Sequence, residues 1–261
     1  LRFLQWGGKE KHFFLNITQF ESSSLGHGTI MKRYNQNLNF NTRRVSFQLD
    51  GFTDYFGGET YLNDITGPNV LGALFFVKPL SLFNRENYAM RSFSIGLTMA
   101  ADIDAPLRNH LDFDDVDDDG RRQTEIRIDQ GSFQPEYIST AVIAYGVDAE
   151  IKLVDTAVVD WKTYADYSWL ESGVPVDNPE RPLWSNVPTR AVRAGGFTWG
   201  QLFRINAGRA PRHALRIRAE YRSYDYNYLP SYFDILYEVQ RIQQISSRTK
   251  TSTELANQTK L

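Results

Sequence analysis

Three groups of residues have types and spacings that could do chemistry. Asp115-Val116-Asp117-Asp118-Asp119-Gly120 matches the first half of a calcium loop, where alternate carboxylates precede a glycine at a sharp turn. Position twelve counted from Asp115 is Ile126, where a bidentate glutamate would complete the shell, and Glu125 stands one residue early. Asp115, Asp117 and Asp119 are therefore candidate calcium ligands, and a solvated acidic loop is the expectation set against them. The four histidines, His12, His27, His110 and His213, show no ligand spacing such as H-x-x-x-H, so no transition-metal site and no cofactor is expected. Ser22, Ser23 and Ser24 precede Gly26-His27-Gly28, but no G-x-S-x-G elbow accompanies them, and a glycine-rich turn explains the same residues. Gly7-Gly8 and Gly195-Gly196 are followed by no helix that could cradle a phosphate. No catalytic residue is assigned and the chain is not expected to be an enzyme.

The third group is a charged face. Arg216, Arg218 and Arg222 alternate along one segment with Glu220 among them, and Lys152, Lys162 and Arg204 fall on the same polar side of their own segments. Asp148, Glu150, Asp160 and Asp166 balance them. Opposed acidic and basic ladders facing water would set a transverse field that selects among small ions and solutes. Salt-bridged charges filling a narrow interior, with no conduction, are the alternative.

The element that must carry this face is the stretch from Ile138 to Trp169. Tyr145, Val147, Ile151, Leu153, Val159, Trp161, Tyr167 and Trp169 occupy odd positions, and the charged residues occupy even ones. Successive strand side chains point to opposite faces, so the stretch reads as a hairpin with one apolar and one charged face. Paired residues share a face, so the turn is expected to have an odd number of residues. A three-residue turn, Asp155-Thr156-Ala157, would set Val154 opposite Val158. That register pairs Lys152 with Asp160 and Glu150 with Lys162, and sets Ile151 against Trp161 and Tyr145 against Tyr167.

The same two-residue period recurs in Arg44 to Tyr55, in Tyr88 to Asp104 and in His213 to Tyr228. Shorter candidate strands are Leu1 to Trp6, His12 to Glu21, Thr29 to Tyr34, Glu59 to Ile65 and Asn69 to Pro79, Arg193 to Ile205 is a weaker one, and Gly57-Gly58 reads as a hairpin turn. Breaks at Gly57-Gly58, Leu80 to Asn87, Asp155 to Ala157 and Ala207 to Arg212 fall at one end of the strands. Longer ones, at Asn35 to Thr42, Ala105 to Glu136 and Glu171 to Thr189, fall at the other, and Thr66 to Asn69 is a short exception. Strands long enough to cross a bilayer number about 9–11 residues, against about 5–6 in soluble sheets.

These dyad strands and sorted loops resemble the outer-membrane β-barrels of Gram-negative bacteria, porin-like in pattern. The resemblance implies an all-β, antiparallel up-and-down transmembrane β-barrel of about 10–12 visible strands, open to further strands, with long loops at one end and short turns at the other. On it, residues 1–245 form the barrel and 246–261 a polar C-terminal tail. It also implies an outer-membrane location, a lipid bilayer as partner and passive diffusion of small solutes through a charged lumen. That lumen would be lined by Asp148, Glu150, Lys152, Asp160, Lys162, Arg204, Arg216, Arg218, Glu220 and Arg222. Other envelope proteins are the partners of the alternative, a structural or assembly role, and a soluble sugar-binding β-sandwich is a third reading. Outer-membrane barrels end on a strand with a terminal aromatic and this chain does not, so a longer protein is expected, as is a signal peptide removed or lying outside Leu1.

Composition narrows the classes. The 261 residues carry a net charge of -2, which gives no basic face for nucleic acid. Zero cysteines exclude disulfides and thiol chemistry. The longest apolar run, Val70 to Val77, is far short of the ~20 residues an apolar helix needs to cross a bilayer. Aromatic residues make up 14% of the chain, enough to supply girdles at two membrane interfaces.

Overall fold

A computed structural model gives the architecture. It describes residues 3–9, 11–19, 22–38, 43–82, 87–109, 111–112, 125–126, 137–172, 192–207, 213–226 and 228–240. The acidic run at Asp115, Asp117 and Asp119 and the tail 246–261 lie outside the described residues.

Ten strands form one antiparallel up-and-down sheet in which neighbours in sequence are neighbours in space. They are β1 (Phe3–Gly7), β2 (Phe13–Thr18), β3 (Ser46–Phe52), β4 (Phe56–Leu62), β5 (Val70–Val77), β6 (Ser94–Asn109), β9 (Tyr137–Asp155), β10 (Val159–Ser172), β11 (Val192–Ala207) and β12 (His213–Tyr224). The short pair β7 (Leu111–Asp112) and β8 (Glu125–Ile126) forms a ribbon between β6 and β9. Among the described residues β1 pairs only with β2 and β12 only with β11, so the sheet is open along those two edges. No helix among the described residues is long and apolar enough to cross a membrane.

One face of the sheet packs on two segments of the chain itself. Residues 22–37 fold back through a bridge between Ser23 and Tyr34, and residues 228–239 lie beside them through a bridge between Met31 and Phe233. Leu25, Ile30, Met31 and Tyr34 from the first and Phe233 and Tyr237 from the second pack with Tyr61, Val70, Leu74, Ala100 and Ala144 from the strands. Laid flat, the eight strand spacings from β2 to β12 would span roughly 38 Å at about 4.8 Å each. The folded-back segment nonetheless reaches β2, where Gln36 donates to Thr18 O, and β12, where Arg218 donates to His27 O. The sheet therefore curls around these two segments, together termed the plug.

Beside the apolar cluster the interior is unusually polar, and the opposite face is unusually apolar. The plug-facing side buries Asn16, Gln48, Asp50, Asp102, Asp166 and Thr198, with Asp50 and Asp102 at 0% exposure. The outer face carries continuous apolar rows. Register places Phe75, Leu97, Val147, Tyr167 and Phe197 side by side across five strands, each at least 36% exposed and Leu97 at 59%. Soluble monomers rarely expose a contiguous apolar patch beyond a few hundred Å2.

Several sequence expectations are corrected. The central hairpin is slipped by two residues from the expected register. Lys162 stands opposite Lys152, Glu150 opposite Tyr164, Tyr145 opposite Trp169 and Val147 opposite Tyr167. Thr156 closes a tighter turn: its N–H donates to Val159 O at 2.8 Å, and its hydroxyl accepts from Val159 N–H at 2.9 Å. The register then shifts between Trp161 and Lys162, leaving Leu153 as the extra residue. The turn has two residues and not the expected odd number, and the one-residue bulge restores the parity: from Lys152 and Lys162 outward side chains keep their expected faces, while nearer the turn Val154 is brought opposite Trp161. The Glu150–Lys162 ion pair survives diagonally at 2.7 Å, while Lys152 turns to Asp155 at 3.7 Å instead of Asp160. On the outer face Tyr145 stacks on Trp169 at 5.4 Å, and such a pair contributes about 0.5–1.5 kcal/mol beyond its area, more than one cross-strand charge pair at about 0.2–1 kcal/mol.

Gly57 and Gly58 lie within β4 opposite Phe52 and Gly51, and the turn is at residues 53–55, where the Thr53 hydroxyl donates to Phe56 O. Tyr88–Ser92 is a short helix α1, capped by the Asn87 side chain, rather than the start of β6. Thr29 to Tyr34 belongs to the plug, outside the ten strands. Connections sort by length as expected: residues 8–12, 53–55, 156–158 and 208–212 are short at one end. Residues 19–45, 110–136 and 173–191 are long at the other, with 63–69 the short exception and 78–93 a longer break at the short end.

Candidate functional site

The charged face concentrates where the plug meets β9, β10, β11 and β12. Alternation and register build it in two rows. One runs Gly96, Asp148, Asp166, Thr198 and Arg222, and the next runs Ser94, Glu150, Tyr164, Gly200 and Glu220. Asp148 and Asp166 are thus directly opposite on one face, an arrangement of like charges that destabilises a sheet unless something lies between them.

His27 of the plug occupies that place. Its Nδ1 lies 2.8 Å from Asp166 Oδ1 and its Nε2 2.7 Å from Glu150 Oε2, while the ring stacks on Tyr164 at 4.1 Å. Gly26 at φ +52° and Gly28 at φ +80° flank it in the left-handed region, so the backbone can turn sharply on both sides of the imidazole. Burial opposes a charge on this ring, but the hydrogen bonds to Asp166 and Glu150 and the charges of both carboxylates outweigh it. They hold the imidazole up to about 9. His27 is consequently an imidazolium at neutral pH that donates through both nitrogens.

The network extends outward from the ring. Lys162 Nζ donates to Glu150 at 2.7 Å. The Tyr164 hydroxyl donates to Glu220, which is clamped from either side by Arg218 and Arg222. Arg218 Nε reaches Glu220 Oε1 at 2.6 Å and Arg222 Nε reaches Oε2 at 3.0 Å. Gly200 makes room for the Tyr164 ring, because a Cβ there would come within 2.2 Å of Tyr164 Cζ. The second plug segment is held separately. Arg44 pairs with buried Glu238 at 2.8 Å, and the Tyr237 hydroxyl donates to Asp102 at 2.6 Å. Burial, then the Glu238 charge, pushes the Tyr34 hydroxyl well above its usual range, so it remains a donor to that carboxylate.

Toward the short-turn end the same face opens into a cavity of about 1090 Å3. Lys152, Asp160, Lys162, Arg204 and Arg216 line it, with His27 and Gly26 of the plug also on its wall. Arg204 and Arg216 are direct register partners, a like-charged pair beside the cavity.

Of the residues expected on the charged face, Asp148, Glu150, Lys162, Arg218, Glu220 and Arg222 gather around the His27 network. Lys152, Asp160, Arg204 and Arg216 lie farther along the cavity wall. On the outer face Val147, Leu153 and Tyr167 are exposed, and Tyr145, Ile151, Val159, Trp161 and Trp169 are half-buried, with Trp161 stacked on Phe203 at 5.2 Å. Sequence reasoning missed His27 and Tyr164. A histidine set between two glycines was the available signal for the first, and nothing in a two-residue period distinguishes the second. No protein-family model, curated protein or solved structure matches the chain.

Proposed function

We propose that the chain is the wall of a transmembrane β-barrel of the outer-membrane kind, with a charged, plugged lumen through which small solutes pass when the plug yields. The observation that carries this reading is the distribution of polarity: exposed apolar rows outside, buried carboxylates and amides inside. A bilayer reverses the solvent argument, since its hydrocarbon favours Leu97 and Phe75 outside, while within Asp50 is met by Gln48 and Asp166 by His27. On this reading Tyr145, Val147, Ile151, Leu153, Val159, Trp161, Tyr167 and Trp169 face lipid, and Lys152, Asp160, Arg204 and Arg216 screen solutes in the vestibule.

The plug makes this a gated path instead of a free pore, because His27, Arg44 and Tyr237 each tie it to the wall. Planar-bilayer recording tests the reading. A variant in which residues 23–34 are replaced by a short Gly-Ser linker should give larger conductance steps than the intact chain, and Arg216→Glu should shift its preference toward cations. Neither protein conducting would reject transport. A structural role in an envelope assembly is the second reading, and the edges of β1 and β12, unpaired among the described residues, favour it, since a free strand edge is a site for pairing with another chain.

A further inference from the structure

The His27 cluster has a feature its hydrogen bonds do not use. Asp166 is 95% buried, and one of its two oxygens, Oδ2, has no hydrogen-bond partner among the described residues. A buried carboxylate oxygen without a partner costs about 1–3 kcal/mol, so it normally marks a missing water or ion. Directly across the strand pair stands Asp148, and one ligand atom each of His27, Asp148 and Asp166 lies within 4.8 Å of the others. Three carboxylates, with Glu150, here face one lysine and one imidazole.

We propose that His27, Asp148 and Asp166 bind one divalent transition-metal ion, of which zinc fits best, at the junction of plug and wall. The donor set argues for that class. An imidazole nitrogen suits zinc and its borderline neighbours, whereas a site for calcium or magnesium would be all oxygen. Zinc takes N and O ligands at about 2.0–2.2 Å in a tetrahedron, which holds the donors about 3.4 Å apart. Atoms within 4.8 Å of one another need to close by no more than about 1.4 Å to reach that spacing. His27 Nδ1 would ligate and its proton would leave to solvent. Nε2–H already donates to Glu150 at 2.7 Å, the carboxylate–histidine arrangement that orients ligating imidazoles in metal sites. Lys162 in turn fixes Glu150. The three ligands come from the plug, β9 and β10, so the ion would cross-link the plug to the wall and leave a coordination position open toward the cavity. This assignment stands independently of the membrane reading.

The test uses the full chain in detergent, stripped with EDTA and titrated calorimetrically with zinc, then with cobalt to read visible absorption. One equivalent of zinc per chain is expected, with a tetrahedral cobalt spectrum. Asp148→Asn and Asp166→Asn should each weaken binding by about 100-fold or more, and Glu150→Gln, which leaves the ligands in place, by about 10–100-fold. Should Asp166→Asn fail to fold, Asp148→Asn carries the test, since both His27 hydrogen bonds remain in it. Absence of zinc binding to the intact chain would overturn the proposal. So would binding that survives Asp148→Asn but is lost in an Asp115→Asn, Asp117→Asn variant, which would assign the ion to the acidic run.

Discussion

Replacing His27 by alanine isolates the tie between plug and wall. The change removes both ring nitrogens and leaves Asp166, with 5% of its side chain exposed, facing Asp148 with no cation between them. Breaking a buried charge pair by deleting one member costs about 3–5 kcal/mol, most of it the uncompensated charge left behind. Glu150, at 20% exposure, keeps Lys162, so the lower end applies and the expected loss is about 3 kcal/mol. That is roughly a 150-fold change in the folding equilibrium constant. Urea unfolding in detergent with EDTA present, followed by tryptophan fluorescence, measures it without a contribution from any bound ion. The decisive companion is His27→Ala with Asp166→Asn, which replaces the stranded charge by a neutral amide and should recover about half of the loss. A single-variant loss below about 1 kcal/mol, or no recovery in the double variant, would refute the claim that His27 neutralises the aspartate pair.

Further outcomes follow from other contacts. Gly200→Val should displace the Tyr164 ring from the face of β11 and cost about 1–3 kcal/mol by the same unfolding assay, the range for overpacking, whereas Gly67→Ala, with open space around it, should be near neutral. Glu238→Ala strands Arg44 and removes the acceptor of Tyr34, so limited proteolysis should cut residues 229–240 several-fold faster than in the parent. On the outer face Leu97→Lys should cost about 2–4 kcal/mol in liposomes and little in a protein whose outer face meets water, which equilibrium folding into vesicles will distinguish.

Alternation made the faces of the sheet legible in the sequence, because parity is indifferent to how a turn is built. The register of the central hairpin was not, since Thr156 and the extra Leu153 give the same parity as a three-residue turn. The plug left no period to read: residues 22–37 touch wall strands from β2 to β12 and satisfy each contact singly, through Gln36, Leu25 or His27. The site was half legible for the same reason. Asp148, Glu150 and Lys162 announce a charged face by alternation, but the residue that organises them is an isolated histidine more than a hundred positions away.

The central claim, that the apolar outer face meets lipid, is tested most directly by single cysteines in a chain that has none of its own. Leu97→Cys, Val147→Cys and Ile217→Cys on the outer face, and Asp54→Cys in the 53–55 turn, would each carry a nitroxide label in liposome-reconstituted protein. Outer-face labels should collide readily with lipid-soluble oxygen and little with a water-soluble nickel chelate, with the reverse at Asp54. Equal, high access of the nickel chelate to the labels at positions 97, 147 and 217 would contradict the account.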